Sequence, residues 1–270
     1  MAETSRYDAW QAGDSYDYYM GRWSRQIAAP FLDWLDAPAG LEWLEIGCGT
    51  GALSAAILKQ CSPKSLISVD SSEGFLIQAR ANLPDAAVEF RVEDAEALGL
   101  ETASRDVVVS ALFLNFVPEK DKALAEMKRV ARAGGTVGFY VWDYPGGGVE
   151  FMRAFWNAAT ALDRDALDLA EDRRFPYCTP DGLVNLAAKA GLTSVVCTPI
   201  EAPTRFKDFD DYWTPFTLGP GRRRATARAL VLRPATGCGG SYTKASLAAK
   251  MDRSRSRREP GRSRPRLDTP

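Results

Sequence analysis

Leu41-Glu-Trp-Leu-Glu-Ile-Gly-Cys-Gly-Thr-Gly51 is the stretch that decides the fold. An apolar run, Leu41–Ile46, leads straight into three glycines that alternate with small residues. Ala52-Leu-Ser-Ala-Ala-Ile-Leu58 follows with helical composition. The order reads as strand, tight loop, helix. Glycine lets the main chain turn sharply and keeps side chains away from a ligand. The helix then offers its free N–H groups and a partial positive charge. A nucleotide-like ligand is the first expectation.

The same pattern repeats downstream. Ser65–Asp70, Ala87–Val92 and Asp106–Ala111 read as strands, with a helix over Glu73–Asn82 capped by Ser71 or Ser72. Lys120–Arg132 is amphipathic, with Ala123, Leu124, Met127 and Val130 on one face. Gly134-Gly135 is expected to end it, and Thr136–Trp142 to form the fifth strand. Short apolar strands alternating with helices imply βαβ units, right-handed crossovers and an α/β, doubly wound, mostly parallel sheet. Before the sheet, Ile27, Phe31 and Leu35 recur at helical spacing, so a helix is expected near 22–35. After it, 149–162 reads as a helix, 163–180 as polar and irregular, and Asp181–Ala190 as a helix ended by Gly191. Leu192–Ile200 reads as a sixth strand, and Phe206, Phe209, Tyr212, Trp213 and Phe216 as a packing helix or lid.

Composition narrows the chemistry. The 270 residues contain no histidine, which excludes His-based triads and His–metal sites. Proton transfer is left to carboxylates, Tyr, Lys, Cys or water. Five cysteines (48, 61, 178, 197 and 238) show no C-x-x-C spacing, so no metal site is expected and a reducing, cytoplasmic compartment is. No apolar run is long enough for a membrane span, and the first residues lack the apolar core of a secretory signal.

Two further carboxylates separate ligand classes. Asp70 closes the second strand, where it can take two ribose hydroxyls. Asp94 follows the third strand in Glu93-Asp-Ala95, where it can accept from an adenine amino group, with the Ala95 backbone at the ring edge. Glu45 precedes the loop, where it can brace the backbone or bond a charged ligand end. Gly47-x-Gly49-x-x-Ala52 alone also fits a loose dinucleotide fingerprint. Asp70 and Asp94 also read as helix or turn caps, Arg22 as a solvated cation and Trp23 as core.

With Ser110-Ala-Leu-Phe-Leu-Asn-Phe-Val-Pro118 and Ala125-Glu-Met-Lys-Arg-Val-Ala-Arg-Ala-Gly-Gly135 added, the chain resembles the class I S-adenosylmethionine-dependent methyltransferases over about residues 16–216. Tyr18-Tyr-Met-Gly-Arg-Trp-Ser24 resembles the leading helix of small-molecule methyltransferases of the type 11-like group. The resemblance implies a Rossmann-like fold and S-adenosyl-L-methionine as cofactor. It implies that Gly47, Cys48, Gly49 and Gly51 line the cofactor, that Asp70 holds the ribose, and that Ser71, Asp94 and Ala95 meet the adenine. Ser110, Ala111 and Leu112 would flank the methionine end, and Arg22 or Trp23 would close over the cofactor from the N-terminal helix. Asn115 stands where many relatives carry histidine, which argues against base catalysis there. The implied partner is a small-molecule methyl acceptor. For an amine or phenol acceptor, Asp143, Tyr140 or Tyr144 near the end of strand five are the proton-accepting candidates, and each also reads as packing or surface.

These readings divide the chain into an N-terminal helical cap (1–36), a methyltransferase domain (37–221) with a helical insertion near 146–190, and a basic low-complexity tail (222–270). Residues 1–221 hold 20 Lys/Arg against 32 Asp/Glu, whereas 222–270 hold 14 against 3. The tail composition points to disorder. It reads as a weak nucleic-acid-binding arm, a solvated extension or out-of-frame text that replaces the family's last strand, for which Ala227–Leu232 is the best remaining candidate. Rival functions are an NAD(P)-dependent oxidoreductase, and an inactive protein binding nucleic acid through the tail.

Overall fold

The structure, a computed structural model, describes residues 21–84 and 87–218. Five strands form one parallel sheet in the order β3-β2-β1-β4-β5: β1 Glu42–Ile46, β2 Ser65–Asp70, β3 Val88–Val92, β4 Arg105–Ala111 and β5 Ala131–Tyr140. The chain winds outward from β1 to β3, then crosses back and winds the other way through β4 and β5. The order reverses between β1 and β4, and ligands of open α/β sheets bind at the carboxyl ends of strands at such a reversal.

Period-two alternation divides the core. Trp43, Val107 and Val109 face α1 (Arg22–Leu35) and α2 (Ala52–Gln60), meeting Ala28, Phe31, Leu32, Leu53 and Ile57. Leu44, Ile46 and Val108 face the other way, onto Ala123, Leu124, Met127 and Val130 of α4 (Lys120–Val130). The helix α3, Glu73–Asn82, lies between β2 and β3 in the chain, and its cap is Ser72, whose side chain accepts from Phe75 N–H.

A third cluster is all helical. It joins Trp23 of α1 to α5 (Glu150–Leu162) and to the helix Phe209–Leu218. Phe155 and Phe216 stack with centroids 4.3 Å apart, and Tyr212 O–H donates to the Phe151 carbonyl at 3.1 Å. The aromatic run at 206–216 is therefore packing.

Three expectations need correction. First, α4 ends at Val130 and β5 begins at Ala131, ahead of Gly134-Gly135. Arg132 fixes this early start, since its guanidinium pairs with Asp106 of β4 at 2.6 Å and with Glu42 of β1 at 2.5 Å. The glycines form an irregularity inside the strand, where residues 132–135 of β5 lie opposite Asp106 alone of β4. Gly134 has φ +78°, and a Cβ on Gly135 would meet the Asp106 carbonyl at 2.8 Å. Second, 163–180 holds a 3₁₀ segment, Arg164–Leu169, and the short α6, Glu171–Arg174. Glu171 is buried and accepts the indole N–H of Trp156, which anchors the segment to α5.

Third, Leu192–Ile200 forms no strand. It follows α7 (Pro180–Lys189) and leaves Val196 68% exposed. The segment is rich in β-branched residues, but a strand needs a neighbour to complete its hydrogen bonds. The segment pairs with none among the described residues, and Pro199 removes one donor. β5 accordingly has one neighbour among the described residues, β4. The tail 222–270, with Ala227–Leu232, and residues 1–20 lie outside the described residues.

Candidate functional site

The site forms where β1 and β4 end side by side. After Ile46 the chain leaves the sheet through Gly47, Gly49 and Gly51, at φ +69°, +54° and +88°. Only glycine adopts such angles without strain. Gly47 and Cys48 donate N–H bonds to the Val69 carbonyl at 2.8 and 3.0 Å, which ties the loop to the end of β2. A Cβ on Gly47 would run into the Phe113 ring, whereas one on Gly49 would meet nothing within 4 Å. The loop is thus packed on one side and open at Gly49. Its last residue, Gly51, is the N-cap of α2.

Asp70 organises this opening. Its Oδ2 accepts Gly49 N–H at 2.9 Å and its Oδ1 accepts Ser72 N–H at 2.9 Å. Burial raises its pKa, against the backbone hydrogen bonds that stabilise the charge. Each carboxylate oxygen keeps further acceptor capacity for a ligand hydroxyl. Ser71 lies beside it and is exposed.

Glu45 lies at the end of β1, fully buried. Its Oε2 accepts the hydroxyls of Ser54 on α2 and Ser68 on β2, the latter at 2.9 Å. Its Oε1 has no partner among the described residues. Burial pushes the Glu45 pKa up to about 7, opposed by the two serine hydrogen bonds. The carboxyl therefore joins α2 to β2 and braces the loop through its flanking elements. Ser54 and Ser68 were not evident in advance, because two isolated serines carry no local signal.

On the opposite wall, Ser110 closes β4 with a buried hydroxyl that has no partner among the described residues. Leu112 is buried at φ +54° and donates N–H to the Tyr140 carbonyl at 2.9 Å. A branched residue in this region stores about 1–3 kcal/mol, a pattern common beside ligand sites. After β3, Asp94 is exposed and its Oδ1 accepts Glu96 N–H at 2.9 Å, while Ala95 is buried. The Asp70 carboxylate and the open space over Gly49 together make a cradle suited to a ligand that carries hydroxyls.

The remaining expected residues have the following partners. The Arg22 guanidinium pairs with Asp211 at 2.8 Å and lies over the rings of Trp23 and Phe206, 4.4 and 4.9 Å from their centroids. Trp23 is buried in the helical cluster. Tyr140 packs on Phe31 at 4.8 Å, and Tyr144 on Phe175 at 5.7 Å. Asp143 is exposed and caps the next turn by accepting Gly146 N–H at 2.7 Å.

Residues 44–139 match the family model described as a methyltransferase domain. Residues 44–139 are therefore similar to a methyltransferase domain. The malonyl-[acyl-carrier protein] O-methyltransferase of Geobacter sulfurreducens is 30% identical to the chain over 154 residues, which is 56% of the chain and 55% of that protein. The ubiquinone/menaquinone biosynthesis C-methyltransferase of Ralstonia pickettii is 39% identical over 101 residues, 36% of the chain and 42% of that protein. The chain thus spans about half the length of these relatives. A solved Haemonchus contortus phosphoethanolamine N-methyltransferase, in complex with phosphomonomethylethanolamine and S-adenosylhomocysteine, aligns with a TM-score of 0.53 at 19% identity, over 67% of this chain and 41% of that one. That likeness concerns the fold of the methyltransferase domain alone. No helix among the described residues is long and apolar enough to cross a membrane.

Proposed function

We propose that the chain binds S-adenosyl-L-methionine in the cradle after β1 and is an enzyme that methylates a small molecule in the cytoplasm. The observation that carries this reading is the clamp of Gly49 N–H on Asp70, with open space above Gly49. In this reading Asp70 takes the ribose hydroxyls on its remaining lone pairs. Ser71 and the Asp94-Ala95 backbone meet the adenine, and Gly47, Cys48, Gly49 and Gly51 follow the ribose and amino-acid portions. Ser110 and Leu112 flank the methionine end. Glu45 acts from below, through Ser54 and Ser68. Arg22 and Trp23 are assigned to fastening α1 onto the helical cluster.

Residues 41–58 contain no Lys or Arg, and Glu45 and Asp70 place carboxyl groups beside the loop. A pyrophosphate would bring two negative charges to these neighbours, whereas a ligand carrying a sulfonium and an ammonium suits them. The cofactor supplies an activated methyl group. The chain's contribution is then placement, which by itself can lower a barrier by several kcal/mol. A histidine-free site is adequate for that task. The three relatives named above carry O-, C- and N-methyltransferase in their names, so the acceptor atom does not follow from family.

Calorimetric titration with S-adenosylhomocysteine tests the reading. Micromolar binding that Asp70→Ala abolishes is the expected result. A folded chain that shows no binding overturns it.

A further inference from the structure

A second polar cluster lies just beyond β4, and the cofactor cradle does not use it. Asn115 sits in the 3₁₀ turn Leu114–Phe116 and is only 6% exposed. Its Oδ1 accepts two hydrogen bonds from a segment 62 and 63 residues away, from the Tyr177 hydroxyl at 2.5 Å and the Cys178 thiol at 3.3 Å. Two donors on one carbonyl fix the plane of the amide. Its Nδ2 hydrogens have no partner among the described residues, and the nitrogen is not among the buried unpartnered atoms, so it faces accessible space. A donor whose plane is fixed by two bonds and whose hydrogens stay accessible is preorganised for a ligand acceptor.

Lys120, the first residue of α4, stands beside this group. Its Nζ donates to the Val117 carbonyl at 2.8 Å and lies 5.3 Å from the Tyr177 ring centroid. It makes no ion pair among the described residues. Burial lowers its pKa and outweighs the opposing charges of Glu119 and Glu96. Burial also raises the Tyr177 hydroxyl far above its usual range and the Cys178 thiol to about 12. Both groups therefore stay protonated near neutrality and serve as hydrogen-bond donors. An immobilised amide donor and an ammonium with no direct ion pair among the described residues together suit an oxygen anion.

We propose that Asn115 and Lys120 form the acceptor-recognition site and bind a carboxylate on the methyl acceptor, with Tyr177 and Cys178 as positioning residues that hold the Asn115 amide. The inference rests on the methyltransferase reading above. A monoanion is favoured over a phosphate because Glu96 and Glu119 lie close enough to act on the Lys120 charge. They would repel a second negative charge.

The test uses the full chain saturated with S-adenosylhomocysteine, with benzoate as the carboxylate probe and phenyl phosphate and benzamide as comparators. The readout is the ¹H–¹⁵N cross-peak of the Asn115 side-chain amide, identified by its loss in Asn115→Asp. That variant is isosteric and keeps both acceptor bonds. Benzoate is expected to shift the cross-peak saturably, and both comparators to bind more weakly. Asn115→Asp and Lys120→Met should each weaken benzoate about tenfold or more, the scale of one charge-assisted hydrogen bond, with S-adenosylhomocysteine affinity unchanged. An unmoved cross-peak, equal binding of phenyl phosphate, or undiminished benzoate binding to Asn115→Asp overturns the proposal. If S-adenosylhomocysteine does not bind, the methyltransferase reading fails separately, and benzoate titration of the chain alone decides the carboxylate site.

Discussion

β1 and β5 belong to one sheet but sit in opposite surroundings. In β1, Trp43 and Leu44 are fully buried, with β2 and β4 on either side. In β5, residues 133–136 are exposed and β4 is the one neighbour among the described residues. Beyond α7, Leu192–Ile200 has the β-branched composition of a strand and lies outside the sheet. The contrast shows that strand propensity is a capacity, realised only where a partner backbone and a packed layer receive it.

The largest effect should come from the centre. Trp43→Ala is expected to cost about 3–5 kcal/mol in denaturant unfolding, the usual range for an aromatic lost from a packed core. A loss below about 1 kcal/mol would mean that the centre is no better packed than the flank, and the contrast would collapse.

The centre also holds Glu45, whose pH response sharpens the comparison. Its folded pKa, about 7, lies above the usual carboxylate value. The folded state therefore keeps a proton that the unfolded chain releases. The stability this confers is present below the unfolded pKa and declines as pH rises towards about 7, then levels off. Raised Asp70 acts in the same direction. The ion-paired Glu42, Asp106 and Glu126 are shifted downward, so their contributions stay flat across pH 5–8. Wild type should lose about 1–3 kcal/mol between pH 5 and pH 8, and Glu45→Gln should remove most of that slope. Equal slopes in the two proteins would place the titration elsewhere.

The smallest effect belongs to the flank. Val196→Ser should change stability by less than about 0.5 kcal/mol. A loss of 2 kcal/mol or more, about the cost of stripping a packed apolar side chain, would show that 192–200 is covered in solution.

The same contrast explains what was legible in the sequence. The glycine loop, Asp70 and the strands around them are specified by neighbours within a few residues, so their pattern could be read directly. The start of β5 could not, because Arg132 is held by Glu42, which lies 90 residues earlier, and by Asp106. A glycine pair that reads as a helix stop therefore serves as a bulge inside a strand. The Asn115 cluster was hidden for a similar reason. Its Tyr177 and Cys178 come from a stretch that reads as irregular, and only folding brings them to the end of β4. Asn115 itself was visible as a departure from the histidine of relatives, but its partners were not. Arg22 was legible as a cation near the site, and Asp211, which holds it, was not.

The bare segment after α7 also offers an experimental handle. Among the described cysteines, Cys48, Cys61 and Cys178 are buried and Cys197 is exposed. Burial nonetheless raises the Cys197 pKa, so its alkylation should quicken in mildly alkaline buffer. With Cys238 replaced by serine, a maleimide dye would attach at that one position. Its fluorescence would then watch the unclaimed strand directly, and would change when something settles against it.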